Sequence, residues 1–482
     1  MNPAGRPLPG SVLAAIALSG YAHGELDRPY TLRSPFPHAL ELGREEMVAE
    51  GRPMSFASAV SDSPTAALPK ARFAWGSTDG AESIELVPMA GEEFRAERRS
   101  DAVWATESGA LVRGRKGIAS FSLDARLFME AGGPRNRSFD REGRDFQDET
   151  ATGSISYGSY ARYRGGFRLD TRVGRLEASR DAVHWGPGIF NNLVFNQDAV
   201  PFHQLAYHAG IGPLRVTTLY GDLIAGNDEA YSEANLEGKN LYAHRYEVAL
   251  GSDWLLGLSE QLILYGQNRP YLFAPVFPLF IAKGFMYEES NNGNLAVDAA
   301  FRAGRSALIY AEFLLDDLES PSSLFTKDYS QNKWGFMAGA HYIREGRRWG
   351  TCGFIAEYAR LEPWTYAHFT PNTAQASHVG YPLGNPFGPN SQNVTLKAYL
   401  RRAGAYFGLT QVLRWKGADP GSDLNDSAPL ESKTHKAFLA GAEAPDYLAQ
   451  PETSWFWNGF SFDLSAMLGA RLKARIGLRY FL

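Results

Sequence analysis

The sequence of 482 residues holds a single cysteine, Cys352. This excludes an internal disulfide framework and any zinc site built on cysteine. No run approaches the ~20 apolar residues of a membrane helix. The most apolar stretch, LFAPVFPLFIA from Leu272 to Ala282, is short and interrupted by Pro275 and Pro278. A basic surplus is also missing. The 48 Lys and Arg against 53 Asp and Glu leave a net charge of -5, without the electrostatic footprint of a nucleic-acid binder. There is no GxSxG, HExxH, CxxC or phosphate-binding GxxxxGK[ST], and no GxGxxG after a strand. GIGP at Gly210 to Pro213 lacks the third glycine, and the ten histidines are scattered. These absences point away from an enzyme, and no motif implies a metal or a cofactor. GSDLNDS (421–427) is rich in Asp and Asn, yet it lacks the spacing of a calcium loop. A solvated loop is the simpler reading.

The chain is instead rich in glycine (49) and tyrosine (23), and its hydropathy has a period of two. In 118–127, Phe121, Leu123, Ala125 and Leu127 alternate with Ser120, Ser122, Asp124 and Arg126. In 167–173, Phe167, Leu169 and Val173 alternate with Arg168, Asp170 and Arg172. Val394, Leu396, Ala398 and Leu400 alternate with Thr395, Lys397, Tyr399 and Arg401. From Phe460 onward the even positions are apolar: Phe462, Leu464, Leu468, Leu472, Ile476, Leu478 and Tyr480. The odd positions include Asp463 and the basic residues Arg471, Lys473, Arg475 and Arg479.

A secreted sandwich would alternate too. Here the polar face carries full charges, and the apolar face is bulky and flanked by Tyr and Trp. Lipid outside, a wet lumen inside and aromatic girdles are what a membrane β-barrel requires. The four basic residues of the last strand are then expected to face the lumen. Barrel closure also satisfies backbone groups that lipid cannot.

The connections alternate between short and long. Short turns are expected at 114–117, 164–166, 209–213, 257–260, 303–305, 344–349 and 401–403. Long polar loops are expected at about 130–152, 184–200, 223–241, 268–293, 316–332, 362–392 and 417–456. This is the pattern of short periplasmic turns and long external loops, and it predicts ~16–18 strands. Residues 460–482 are read as one long strand, because splitting them would move the 417–456 loop to the periplasmic side. The fold class is all-β, a transmembrane antiparallel barrel over 70–482. Residues 25–69 are expected to form a small helical segment and partial plug. HALELGREEMVAEG puts Leu40, Met47 and Val48 on one helix face there. Residues 1–24 resemble an export signal, with Arg6, the apolar SVLAAIALSGYA and the small-residue AHG. A disordered start is the alternative. The ending LRYFL resembles the signal that outer-membrane barrels present to their insertion machinery, although such signals usually end in an aromatic residue.

Two loops concentrate chemistry. HWGPGIFNNLVFNQDAVPF starts at His184, and EPWTYAHFTPNTAQASHVGYPLGNPFGPNS spans Glu362 to Ser391. Flat aromatic rings beside planar amides suit sugars, whose CH faces stack and whose hydroxyls bond amides. On that basis Trp364 and Tyr366 would stack on a glycan, with Trp185 in support. Asn191, Asn192, Asn372, Asn390 and His368 would bond its hydroxyls. The competing reading is that these loops fold inward and plug the barrel mouth.

WGPGIFNNLVFNQDAVPF, EPWTYAHFTPN, GYPLGNPFGPNS and the strand SFSLDARLF (120–128) resemble segments of the Wzi capsule assembly family. The resemblance implies an outer-membrane barrel with an N-terminal helical plug. It also implies binding of capsular or exported polysaccharide at the cell surface, and help in holding the capsule. The partners expected are that polysaccharide, outer-membrane lipid and the barrel insertion machinery, with no nucleic acid. A diffusion porin is the first alternative and an outer-membrane hydrolase the second.

Overall fold

The computed structural model describes residues 57–59, 73–76, 82–96, 102–132, 148–152, 155–225, 238–286, 291–318, 320, 322, 329–346, 348–370, 373–402, 404–429, 435–442, 444–457, 460–469 and 473–481. The expected export signal, the helix at 38–51, Asn372, Arg471 and Leu482 lie outside them.

In chain order the strands are β1 (Ala57–Ala59), β2 (Phe73–Gly76), β3 (Glu82–Ala96), β4 (Ala102–Lys116), β5 (Ala119–Gly132), β6 (Asp148–Thr152), β7 (Ile155–Thr171) and β8 (Gly174–Asp181). They continue as β9 (Val183–Trp185), β10 (Phe202–Ile211), β11 (Leu214–Leu223), β12 (Lys239–Leu250), β13 (Trp254–Tyr265), β14 (Asn291–Ala303), β15 (Ala307–Asp317) and β16 (Lys333–Gly346). The last are β17 (Gly350–Leu361), β18 (Ser377–His378), β19 (Tyr381–Pro382), β20 (Ser391–Arg402), β21 (Ala405–Lys416), β22 (Asp446–Trp457), β23 (Phe460–Met467) and β24 (Lys473–Phe481). A short helix, α1 (Leu279–Lys283), follows the 3-10 turn Pro270–Phe273.

Eighteen of these strands form one closed antiparallel barrel: β3–β5, β7, β8, β10–β17 and β20–β24. The ring closes where β24 pairs with β3, from Ala474 opposite Ala96 to Phe481 opposite Met89. β2 runs against the start of β3, and β6 against the start of β7. Where the expected strands are described, their faces obey the period of two, although Arg172 and Val173 fall in the turn between β7 and β8. On β24, Arg475 and Arg479 are buried inside while Ile476 and Leu478 are exposed outside. The outer wall is apolar, and aromatic residues cluster near both ends. Trp254, Trp349, Trp457 and Phe460 are exposed at the short-turn end, and Phe94, Trp104 and Tyr447 at the other. Such a wall suits lipid.

The last strand departs from expectation. Residues 460–482 are a hairpin of β23 and β24, not one strand. Leu464 faces Ile476 and Phe462 faces Leu478, so even numbers pair with even numbers and the alternation passes through the turn in phase. The long loop before it keeps its side because part of 417–456 is itself strand β22, which Pro451 and its polar inward residues Gln450, Glu452 and Ser454 disguise.

Two expected turns are mid-strand. Gly165 and Gly166 lie in β7, where a Cβ would sit 2.5 Å from the Ser122 carbonyl oxygen and 2.7 Å from the Ser179 Cβ. Gly257 lies in β13 opposite Asp298, whose carboxylate oxygens would be 2.4 and 2.5 Å from a Cβ. The missing side chain leaves room for the buried Arg245–Asp298 pair at 2.7 Å. These glycines serve close packing, not chain reversal.

Candidate functional site

The inside of the barrel has two sides. On β3–β5 and β23–β24 it is a lattice of charge. Arg479 contacts Glu107 and Asp463, each at 2.8 Å. Arg126 also reaches Glu107, at 2.8 Å, and Glu93 is shared by Arg95 and Arg475. This lattice crosses the β24–β3 seam, so the closing strands are joined by ion pairs as well as by backbone. Lys473 belongs to β24 by its backbone.

The other side is filled by chain. Residues 182–196 leave β8 and are buried throughout. Gly186, at φ 103°, supplies the bend, and a Cβ on Gly188 would meet the Asn192 side-chain oxygen at 2.4 Å. Trp185 and Phe195 pinch the ends together, ring edge to face at 5.0 Å. β9 carries a second chain with it, since Val183–Trp185 pairs with Ala57–Ala59.

Three carboxylates on the barrel wall hold this plug by its backbone. Glu357 of β17 accepts the N–H groups of Ile189 at 2.5 Å and Phe190 at 3.0 Å, the Asn191 amide at 3.1 Å and the Tyr310 hydroxyl at 2.8 Å. Glu312 of β15 accepts the N–H of Leu193 at 2.8 Å, and Asp316 accepts that of Tyr366 at 2.7 Å. In the ring order β8-β10-β11-β12-β13-β14-β15-β16-β17, Glu357 stands eight places from where the plug leaves the wall. The plug therefore crosses to nearly the far side. Buried N–H groups must find acceptors, and carboxyl oxygens supply them.

The second loop, 362–390, packs onto the first. The Tyr366 hydroxyl donates to the Leu193 carbonyl at 2.6 Å, and the Asn385 amide to the Asn191 side-chain oxygen at 3.2 Å. The hairpin β18–β19 reaches the opposite wall, where the Ile224 N–H donates to His378 Nδ1 at 3.0 Å and the Lys239 ammonium to the Ser377 carbonyl at 2.7 Å. Burial first, and then the charges of Lys239 and Arg180, push the His378 imidazole down to about 3. Burial raises the Tyr366 phenol well above its usual value.

The structure brings together all the glycan candidates it describes, but inside the plug. Trp185, Trp364 and Tyr366 are only 1, 3 and 1% exposed. The Trp364 indole is covered by Gly421, where a Cβ would fall 2.9 Å from the ring. Asn192 meets His184 at 3.1 Å, Asn390 donates to Ser422 at 3.0 Å, and His368 Nδ1 accepts the Thr370 N–H at 3.2 Å. Trp364, Tyr366 and Asn390 also hold left-handed backbone, at φ 61°, 73° and 51°. Each of these groups shapes the plug. Its accessible members are others: Gln197, Asp198, Phe369 and Tyr381 are half-buried. The wall carboxylates carry no distinguishing signal in the sequence. Glu357 in FIAEYARL occupies an ordinary inward position, and nothing in the alternation distinguishes a lumen acid that faces water from one that holds a loop.

No protein-family model matches the sequence, and no curated protein matches it. Solved structures do match in fold. One is Wzi of Escherichia coli, described as an outer membrane protein involved in group 1 capsule assembly and a carbohydrate-binding β-barrel. It has 12% identity and a TM-score of 0.51, over 82% of this chain and 84% of that one. Two others are OccK5 (OpdH) of Pseudomonas aeruginosa, with 12% identity and a TM-score of 0.43 over 83% and 98% of the chains, and OccAB2 of Acinetobacter baumannii, with 10% identity and 0.45 over 83% and 98%. At 12% identity the likeness to Wzi is one of fold alone.

Proposed function

We propose that this chain is a non-catalytic barrel of the bacterial outer membrane. It binds a capsular or exported polysaccharide at the cell surface and helps to attach or assemble the capsule. The observation that carries the reading is the anchoring of the plug by Glu312, Asp316 and Glu357. Loops held in this way form a fixed surface across the barrel and obstruct free diffusion. Three of the four segments that resemble the Wzi capsule assembly family build this plug, and the fourth lies in the wall strand β5. Within this reading Trp185, Trp364, Tyr366, Asn191, Asn192, His368 and Asn390 set the shape of the surface. Phe369, Tyr381, Gln197 and Asp198 offer rings and polar groups to the sugar.

One observation favours a second reading, a diffusion porin. The Arg and carboxylate lattice on β3–β5 and β23–β24 lines one side of the lumen, as a charged constriction would. Purified full-length protein in lipid nanodiscs separates the two when mixed with the host's own surface polysaccharide or with dextran. Selective binding of the host polysaccharide, with little current across a planar bilayer, supports the first reading. No binding and a steady ohmic current would replace it with the second.

A further inference from the structure

Loop 266–286 does not join the plug. It folds the other way, down the outside of the barrel. The side chains it covers belong to the outer face: Tyr242 and His244 of β12, and Glu260, Leu262 and Leu264 of β13 alternate with the inward Leu241, Ala243, Arg245, Ser259 and Ile263. Leu272 and Leu279 of the loop bury themselves against Tyr242, Leu262 and Leu264. The Lys283 stem runs over Gly293 of β14, where a Cβ would lie 3.1 Å from it, and its ammonium reaches Asp317 at the end of β15 at 4.0 Å.

The wall supplies polar groups that would otherwise point at lipid. Tyr242 accepts the Arg269 N–H at 3.0 Å and donates to Asn268 at 2.6 Å. His244 Nε2 lies 2.9 Å from the Leu272 carbonyl, and the Tyr246 hydroxyl donates to the Pro275 carbonyl at 2.8 Å. Glu260 accepts the Phe280 N–H at 3.4 Å. Pro270, Pro275 and Pro278 have no N–H to satisfy, and Leu272, Ala274, Phe277, Ala282, Gly284, Phe285 and Met286 donate within the loop. Irregular backbone is tolerated in hydrocarbon only when its polar groups are met by protein, and these donors and carbonyls of the loop are met in that way. The far side of the loop is apolar: Phe285 is 87% exposed and Val276 76%, beside Ile281, Tyr271 and Phe277.

Height decides where this surface sits. A membrane strand needs about 9–11 residues, and β12 has 12. The loop reaches down to Tyr246, which leaves only Glu247–Leu250 of β12 uncovered below it. From Tyr265 to Leu258, the partner of Tyr246, is about 23 Å along the strand at ~3.3 Å per residue. A short strand has little length to spare above the bilayer, so most of the loop lies at membrane depth, continuous with the outward Leu256, Val297 and Ile309.

We propose that 266–286 is an external flap seated in the surrounding leaflet, with acyl chains packed against Val276, Phe277, Ile281 and Phe285. The outward His244, Glu260, Tyr242 and Tyr246 serve to make its backbone compatible with lipid. This rests on the membrane placement proposed above, and the test separates the two.

Nitroxide labels are attached at Val276→Cys and, in a second protein, at Ile281→Cys. Both are made in full-length protein with Cys352→Ala, reconstituted in phosphatidylcholine vesicles. References are Val297→Cys on the outer wall and Val173→Cys in a short turn. The flap labels should collide with oxygen as the Val297 label does, and show the loss of collision with a water-soluble nickel complex that the Val173 label does not. Nickel access at both flap sites with a lipid-exposed Val297 label would overturn the flap. Nickel access at Val297 as well would instead overturn the membrane placement. Exclusion of both reagents at the flap, with dipolar coupling between labels, would assign the surface to a second copy of the chain and overturn lipid as its occupant.

Discussion

The carboxylate of Glu357 on β17 accepts the backbone N–H of Ile189, 168 residues earlier in the chain, at 2.5 Å. The same carboxylate holds Phe190, Asn191 and Tyr310. This side chain carries the largest share of the plug's contacts with the wall carboxylates, and Glu357→Ala should loosen the crossing of the lumen. Each buried donor left without an acceptor costs about 1–3 kcal/mol. The variant should unfold at lower temperature and conduct more ions across a planar bilayer, while Glu357→Gln, which keeps an acceptor oxygen, should lie between it and the parent. Unchanged conductance in Glu357→Ala would mean that the plug is held by other contacts.

Arg475 and Ile476 are neighbours on opposite faces of β24. Ile476→Arg puts a cation into lipid and should cost ~2–4 kcal/mol near the midplane. Arg475→Leu should be milder, because Glu93 keeps Arg95 at 2.6 Å and Arg479 at 3.6 Å. Heat-modifiable gel migration of the two variants measures the difference, and equal damage would refute the assignment of faces.

His378 gives the plug a pH dependence of definite sign. Burial and the nearby cations depress it to about 3 in the folded chain, below its unfolded value of about 6.5. The stability it contributes is complete above pH 6.5 and is lost as the pH falls from there toward 3, where the unfolded chain takes up a proton and the folded chain cannot. Protonation would also remove the acceptor for the Ile224 N–H. Protease cleavage within 362–390 should therefore increase on acidification, and the increase should shrink in His378→Asn. A profile unchanged by the substitution would place the acid sensitivity elsewhere.

Trp364→Ala and Tyr381→Ala should differ in kind. The first removes a buried indole from against Gly421 and should cost roughly 3–5 kcal/mol through the cavity it leaves. The second removes a half-buried ring and should lower polysaccharide retention with little change in unfolding temperature. Both quantities are read on the same purified protein. Full retention in Tyr381→Ala would remove that ring from the proposed contact surface.

Much of this architecture is legible as alternation. Arg475, Ile476, Leu478 and Arg479 declare their faces because a strand has only two. Turns are less legible. Gly165, Gly166 and Gly257 look like chain reversals, although each makes room for a neighbour across the sheet. The direction of the loops is not legible at all. Trp364 and Tyr366 would have the same sequence signature on a sugar-binding surface or packed inside a lumen, because burial depends on wall residues far away in sequence. For the same reason the external course of Leu272–Ala282 reads only as an apolar stretch broken by proline.

The plug also imposes an order on assembly. Glu357 and Glu312 join it over separations of 168 and 119 residues, and contacts that close long loops form late. Residues 182–196 acquire acceptors for their N–H groups only once the chain has been laid down through β17. Ala57–Ala59, paired to Val183–Trp185, lies inside a ring that shuts when β24 meets β3. The first described residues are thus enclosed by the last, and a barrel that closed before that pairing would have to admit the segment through one of its ends.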